Sequence, residues 1–250
     1  MHNLDETTIV LLLALILFGA YAVQAMSGFG AVVLAVTFGA LLMPIRQLPP
    51  ILVPLNVLLV TYLVARYYKT IDLRVLLLRI LPLMGVGVVV GVYLFDYLPT
   101  EIDLKPWFAG LIILLSVLEL IRLLKNLERV PVVDLVPGPV WMFLSGITHG
   151  LFASGGPLLV YAVNRLSLDK ATFRSTLSAV WLVMNVSLTI FYLLSGHTSP
   201  ERVAGLVVFL PSIVLGTVLG EYLHHRAPEH QFRIIVSVIL LCAGVALLLR

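Results

Sequence analysis

Long apolar runs, broken only by short clusters of charge, constrain this chain more than any other feature of its sequence. Several approach the ~20 residues a helix needs to cross the hydrocarbon core of a bilayer. Barrel strands would instead alternate polar and apolar side chains over ~10 residues, and these runs do not alternate. Charged residues are 12% of the chain, where a soluble domain carries about 25%. The remaining charge sits where loops are expected, so the net charge of +3 is no reason to invoke nucleic acid. The single cysteine, Cys242, lies in the last apolar run and reads as buried filler, since one cysteine makes no internal disulfide. The residues before the first run include Asp5 and Glu6 but no Lys or Arg. That run therefore lacks the positive flank of a cleaved leader and reads as a retained helix.

Apolar length and turn residues place ten helices, at roughly 8–26, 31–43, 49–69, 75–97, 105–124, 139–153, 157–165, 173–194, 203–224 and 231–249. Those at 31–43 and 157–165 are too short to span comfortably. Each follows a longer helix through a break of small residues, Ser27-Gly28-Phe29-Gly30 and Ser154-Gly155-Gly156-Pro157.

The paired breaks point to an internal repeat. A shift of 129 residues carries Pro82, Gly87, Val89, Gly91, Tyr93, Leu94 and Pro99 onto Pro211, Gly216, Val218, Gly220, Tyr222, Leu223 and Pro228. It also carries Asn56-Val57 onto Asn185-Val186. Apolar chains match by chance at Leu and Val, but seldom at Asn, Pro, Gly and Tyr in one register. The breaks align at a shift of 127, which leaves Ala22 opposite His149. Lys and Arg concentrate in cytoplasmic loops, so their placement sets orientation. If each half crosses an odd number of times, segments 66–79, 122–129, 165–174 and 226–233 share one side and hold 12 of the 16 Lys and Arg residues. With four crossings per half the split is 9 to 7. An odd count gives the halves opposite topology. The expected fold is an all-α polytopic membrane protein of about ten helical segments in two five-helix inverted repeats, 1–130 and 131–250. The repeats form one integrated transport domain with broken helices at the two Gly-rich breaks. Both termini are expected outside.

Interrupted helices at matching places in two halves point to a binding site near the bilayer midplane. Irregular backbone in lipid must line a cavity or be buried in protein. A helix that begins after such a break, at Ala31 or Pro157, presents free N–H groups and the positive end of its dipole, which suits an anion without Lys or Arg. The candidate substrate-binding residues are Ser27, Gly28, Phe29 and Gly30 at the first break and Ser154, Gly155 and Gly156 at the second, with the two serines as hydroxyl donors. Asn56 and Asn185, each inside an apolar helix, either contact the substrate or brace the breaks. Intramembrane His149 is a candidate for proton coupling. Arg174 is a candidate for attracting anions at the inner vestibule. Glu119 and Arg122 read as an i,i+3 pair, Asp96 and Glu221 as solvated, and Gly87-xxx-Gly91 and Gly216-xxx-Gly220 as close helix packing. His224, His225 and His230 lack the spacing of a metal site. With no phosphate-binding loop, zinc-protease motif or nucleophile–base pair, the chain is not expected to be an enzyme or to need a cofactor.

The Ser-Gly-Phe-Gly break, the proline-flanked third helix, the loop Lys69-Thr70-Ile71-Asp72 and the second break Ala153-Ser154-Gly155-Gly156-Pro157 together resemble the sulfite/organosulfonate exporter family, TauE/SafE or TSUP. The resemblance runs from about residue 10 to 249. It implies a plasma-membrane secondary transporter that moves a sulfur oxyanion or organosulfonate by alternating access, exporting it with a coupling proton or cation. The family's first break is often richer in glycine; here Ala31-Val32 follows Gly30, which implies a narrower or more apolar first site. The family's Thr-Ser pair at the start of the second half's third helix is matched only by Ser175-Thr176. Two other readings stand beside this one. A transporter of another solute or a metal ion should place carboxylates near the breaks, and none falls there. A non-transporting membrane subunit should carry a reactive pair or an exposed domain, and neither is seen.

Overall fold

The computed structural model describes residues 5–27, 30–99, 101–127, 135–166, 168–224 and 229–249, and it is helical with no strand among them. The principal helices are α1 (Glu6–Ser27), α2 (Ala31–Gly39), α3 (Pro49–Tyr67), α4 (Leu81–Tyr97), α5 (Lys105–Leu124), α6 (Gly138–Phe152), α7 (Gly156–Val163), α8 (Lys170–Leu194), α9 (Leu210–His224) and α10 (Glu229–Leu248). Among the described residues seven stretches are long and apolar enough to cross a membrane; they contain α1, α3, α4, α5, α8, α9 and α10. The chain is thus a multi-pass membrane protein, with α2, α6 and α7 as its shorter pieces.

Proline opens several helices. Pro49 and Pro50 begin α3, and Pro106, Pro139 and Pro157 sit in the first turns of α5, α6 and α7. Their missing N–H groups fall where a helix has none to satisfy. Asp169 opens α8 by accepting from the Ala171 and Thr172 amides. Pro82 and Pro211 lie just inside α4 and α9, and each follows an irregular turn, π-helical over Leu76–Ile80 and 3-10 over Leu206–Phe209. A proline ring crowds the carbonyl four residues before it, and the altered turn relieves that contact in both places.

The two most buried helices, α3 and α8, carry the core. Within their apolar windows α3 is 61% buried and α8 50%, whereas the other five spans are 22–39% buried and turn most of their surface outward. α3 and α8 pack antiparallel. Asn56 meets Asn185 mid-helix, while Thr70, just past the end of α3, accepts from Ser175 near the start of α8. α5 and α10 also run antiparallel: Gly244 lies against Ala109 and Ile112, and His230 Nε2 lies 3.0 Å from the Leu123 carbonyl.

Two further contacts between the halves are glycine seams. Gly87 and Gly91 of α4 lie on Gly146 and Gly150 of α6, so tightly that a Cβ on any of the four would strike a backbone carbonyl opposite. Gly216 and Gly220 of α9 press in the same way on the Phe18 and Ala22 carbonyls of α1. In both seams residue numbers rise together, so the helices run parallel. The close packing expected of these glycines is present, and Gly146 and Gly150 join it.

Cys242 and Glu221 depart from expectation, while Asp96 is exposed as expected and gains a partner. Cys242 is exposed on α10, on a helix most of whose surface faces outward. Asp96 pairs with His197 at 2.7 Å. Glu221 accepts from the Tyr62 and Tyr67 hydroxyls and lies 3.9 Å from Arg174. Both carboxylates are tied into the fold because helix ends from different elements bring them donors. Glu119 and Arg122 form the expected i,i+3 pair, and Arg233 adds a second cation 3.9 Å away.

Candidate functional site

The two breaks reach the same place by different backbone routes. At the first, Gly30 has φ 106° immediately before α2, a left-handed conformation that a side chain would strain. At the second, Ala153 takes φ 55° at the end of α6, and the Ala153 and Ser154 amides return to the His149 and Thr148 carbonyls. That is the helix-closing pattern usually built on glycine. An alanine held left-handed is a strained choice that the surrounding contacts must enforce. One such contact is the Ser145 hydroxyl, which donates to the Gly155 carbonyl at 2.8 Å.

A chain of amides ties the first break to both central helices. The Gln24 Oε1 atom accepts from the Ala31 backbone N–H at 3.2 Å and from Asn56 Nδ2 at 2.9 Å. Asn56 Oδ1 in turn accepts from Asn185 Nδ2 at 3.0 Å. The backbone N–H of Ala31 cannot rotate, so it fixes which end of Gln24 faces it. Gln24 then fixes Asn56, and Asn56 fixes Asn185. Oδ1 of Asn185 is thereby left outside the chain of bonds; the His149 ring is near it, but no donor among the described residues meets it at hydrogen-bonding geometry.

Beside this chain lies a small cavity of about 260 Å³, lined by Gln24, Gly30, Val32, Val33, Asn56, His149, Ala153, Gly156, Trp181 and Asn185. It is bounded by the opening residues of both α2 and α7, so two helix N-termini converge on it. No Asp, Glu, Lys or Arg lines it. Three buried side chains in its wall hold polar atoms that meet no partner at hydrogen-bonding geometry among the described residues: both ring nitrogens of His149, Nε1 of Trp181 and Oδ1 of Asn185. The His149 and Trp181 rings lie 5.5 Å apart. Buried polar groups are otherwise almost always paired, so three together mark a place for a polar ligand.

Of the residues singled out from sequence, Gly30, Asn56, His149, Gly156 and Asn185 meet at this cavity. Gly28 and Phe29 lie outside the described residues. The two serines are directed elsewhere. Ser27 donates to the Val23 carbonyl and Ser154 to the Phe152 carbonyl, so in this structure their protons serve the backbone. Gly155 backs the second break against Ser145, away from the cavity wall. Arg174 is also apart from it. The guanidinium stacks 5.1 Å over the Tyr67 ring and approaches Glu221, joining α8 to α3 and α9.

Gln24 and Trp181 are the cavity residues that sequence reasoning passed over. The alignment of the breaks at 127 hid Gln24. The helices after the breaks start at Ala31 and Gly156, 125 apart, and that offset puts Gln24, not Ala22, opposite His149. Each of these two residues stands beside the asparagine of its own half. Trp181 precedes Asn185 by one helical turn, the spacing that puts both on one face.

A second, larger cavity of about 800 Å³ shares Gly30 with the first and runs between α5 and α10. Its wall is mainly apolar and includes Ser116, Tyr161 and Ser237, and it reaches Glu119 and Arg233 near the end of α5 and the start of α10.

A sequence model of the family described as Sulfite exporter TauE/SafE matches residues 12–247, nearly the whole chain. No curated protein and no solved structure matches it.

Proposed function

Because the chain belongs to the TauE/SafE sulfite exporter family, a family of membrane transporters, we propose that it exports a small sulfur-containing anion from the cell by alternating access around the His149–Trp181–Asn185 cavity. One observation carries this reading: three unpartnered buried polar groups and two helix N-termini face one small space that holds no fixed charge. Each N-terminus contributes roughly half a positive charge, and the Trp181 and His149 N–H groups supply donors, so an anion can be held without a lysine or arginine. Asn56 braces the site and Asn185 turns toward the substrate.

The transporting unit is two inverted repeats that form one domain. Supporting this are the antiparallel run of the counterpart pairs α3/α8 and α5/α10. The parallel seams α1/α9 and α4/α6 exchange with one another when the halves are swapped. The Lys- and Arg-rich ends lie in the cytoplasm of a bacterial or archaeal cell, with both termini outside. On that orientation the larger cavity is an inner vestibule leading from Gly30 toward Arg233. The opposite face is latched, since Arg46 donates to the Phe95, Leu98 and Pro99 carbonyls and His197 pairs with Asp96. The conformation is therefore an inward-open one. His149, whose buried ring lines the substrate space, takes up the coupled proton.

The test is transport by purified protein in liposomes. Sulfite or a simple sulfonate should move across the membrane, faster under a pH gradient, and His149→Leu should lose the acceleration. A protein that is folded by its thermal unfolding profile yet moves no sulfur anion under any gradient would sink the proposal.

A further inference from the structure

We infer that the cavity selects a singly charged anion that still carries a proton, hydrogen sulfite over sulfite and over sulfate. The inference rests on the anion-binding reading just given and names the substrate's charge state.

Two independent features lead there. The first is the amount of positive charge available. The lining holds no Lys or Arg, and His149 is its one titratable side chain, with the Tyr21 hydroxyl behind it near Asn56. While the His149 ring is neutral, before it takes up the coupled proton, the positive potential comes from the openings of α2 and α7. At about half a charge each, they sum to roughly one unit. That matches one negative charge and leaves a second uncompensated in a buried space, where an unpaired charge is strongly disfavoured. The first break even spends one of its N–H groups internally, since Ala31 donates to Gln24.

The second feature is an acceptor among the donors. A site for a fully deprotonated oxyanion should present N–H and O–H groups alone, because every ligand oxygen accepts. Here buried Asn185 lines the same space, and its Oδ1, with the His149 ring as its near neighbour, meets no donor at hydrogen-bonding geometry among the described residues. Its orientation is not free: the Ala31 amide fixes Gln24, Gln24 fixes Asn56, and Asn56 takes the Asn185 amide protons. A carbonyl oxygen held toward an anion repels it unless the anion has a hydroxyl to donate. Hydrogen sulfite has one. Methanesulfonate, also a monoanion, has none, and sulfate is a dianion without one.

Calorimetric titration of the detergent-solubilised full chain with these three anions separates the cases. Sulfite affinity should be flat below its second ionisation and fall about tenfold per pH unit above it, tracking the hydrogen sulfite fraction. Methanesulfonate should bind more weakly and without pH dependence over the same range, and sulfate at least tenfold more weakly than hydrogen sulfite at every pH. Asn185→Leu should erase the advantage of hydrogen sulfite over methanesulfonate. Sulfite binding that ignores its own ionisation, or sulfate binding as tightly, overturns the inference while leaving an anion site in place. Methanesulfonate affinity falling in parallel with sulfite also overturns it, because the titrating group would then be His149. Failure of all three anions to bind at any pH overturns the anion-site reading itself.

Discussion

The first break is closed and the second is open. At the first, Gln24 caps the start of α2 and binds Asn56, so the polar atoms around Ala31 find partners within the protein. At the second, the residue in the corresponding place is His149. Its ring approaches Asn185 without reaching hydrogen-bonding geometry, and Trp181 and Asn185 beside it keep polar atoms outside such geometry as well. Two similar devices have thus divided one task. On the proposed function, the first supplies a rigid floor and the second supplies the groups that meet a ligand. Duplication produces a near-symmetric scaffold, but a site between two halves needs only one set of unsatisfied donors, and the other set is better used to hold the backbone.

The largest expected effect comes from the seam that carries the second break. Gly91→Leu would drive a side chain into the Ile147 carbonyl. Overpacking of this kind costs about 3 kcal/mol or more where the obstacle is backbone. The variant should give no monodisperse protein in detergent. Gly110→Leu, which meets open space, should purify normally. Equal yields from the two would mean that the seam is not needed.

Exchange of the two break residues has an intermediate effect and tests the comparison directly. Gln24→Leu leaves the Ala31 amide and part of Asn56 unpaired, which costs about 1–3 kcal/mol, so the thermal midpoint should fall. His149→Gln should do the reverse. A glutamine there can close on Asn185 as Gln24 closes on Asn56, and the midpoint should rise by a few degrees while anion affinity drops about tenfold, the loss of one hydrogen bond to a charged ligand. A His149→Gln protein that is less stable and binds normally would show that the second break is not held open for a ligand.

The smallest effect is expected at the start of α8. Its counterpart α3 begins with two prolines and no side-chain cap, whereas α8 begins with Asp169. The Thr172 hydroxyl, then the nearby amides, hold the Asp169 carboxyl below the usual carboxylate range. Its folded value is the lower one, so its contribution is present above the ordinary carboxylate range and fades as the pH falls through the depressed value. Asp169→Ala should lower the thermal midpoint slightly at neutral pH and not at all in strong acid. A difference that persists in acid would assign the effect to something other than the carboxylate.

Much of the fold is legible in the order of the amino acids. Apolar run length marks the helices, and the repeated Asn, Pro and Gly residues mark the pairing of Asn56 with Asn185 and the glycine seams. The site is legible only in part, for two physical reasons. A loop between repeats can change length without changing the packing, so the register of the breaks slides by two residues and Gln24 is lost against Ala22. A tryptophan in a membrane helix reads as bulk, and only the neighbouring Asn185 one turn away shows that its N–H is wanted. The serines mislead for a related reason: a short hydroxyl in a helix or tight turn finds a nearby carbonyl more readily than a ligand.

The glycine seams have a mechanical consequence. Where α4 meets α6, and α9 meets α1, the glycine positions bring backbone against backbone, in place of the interlocking knobs that set ordinary helices in register. At those points a joint has little to unseat when one helix slips along the other, because a glycine has no side chain to lift from a socket. It bears load across the seam and yields along it. A machine whose halves must shift past each other many times without coming apart would place bearings of this kind at its sliding faces.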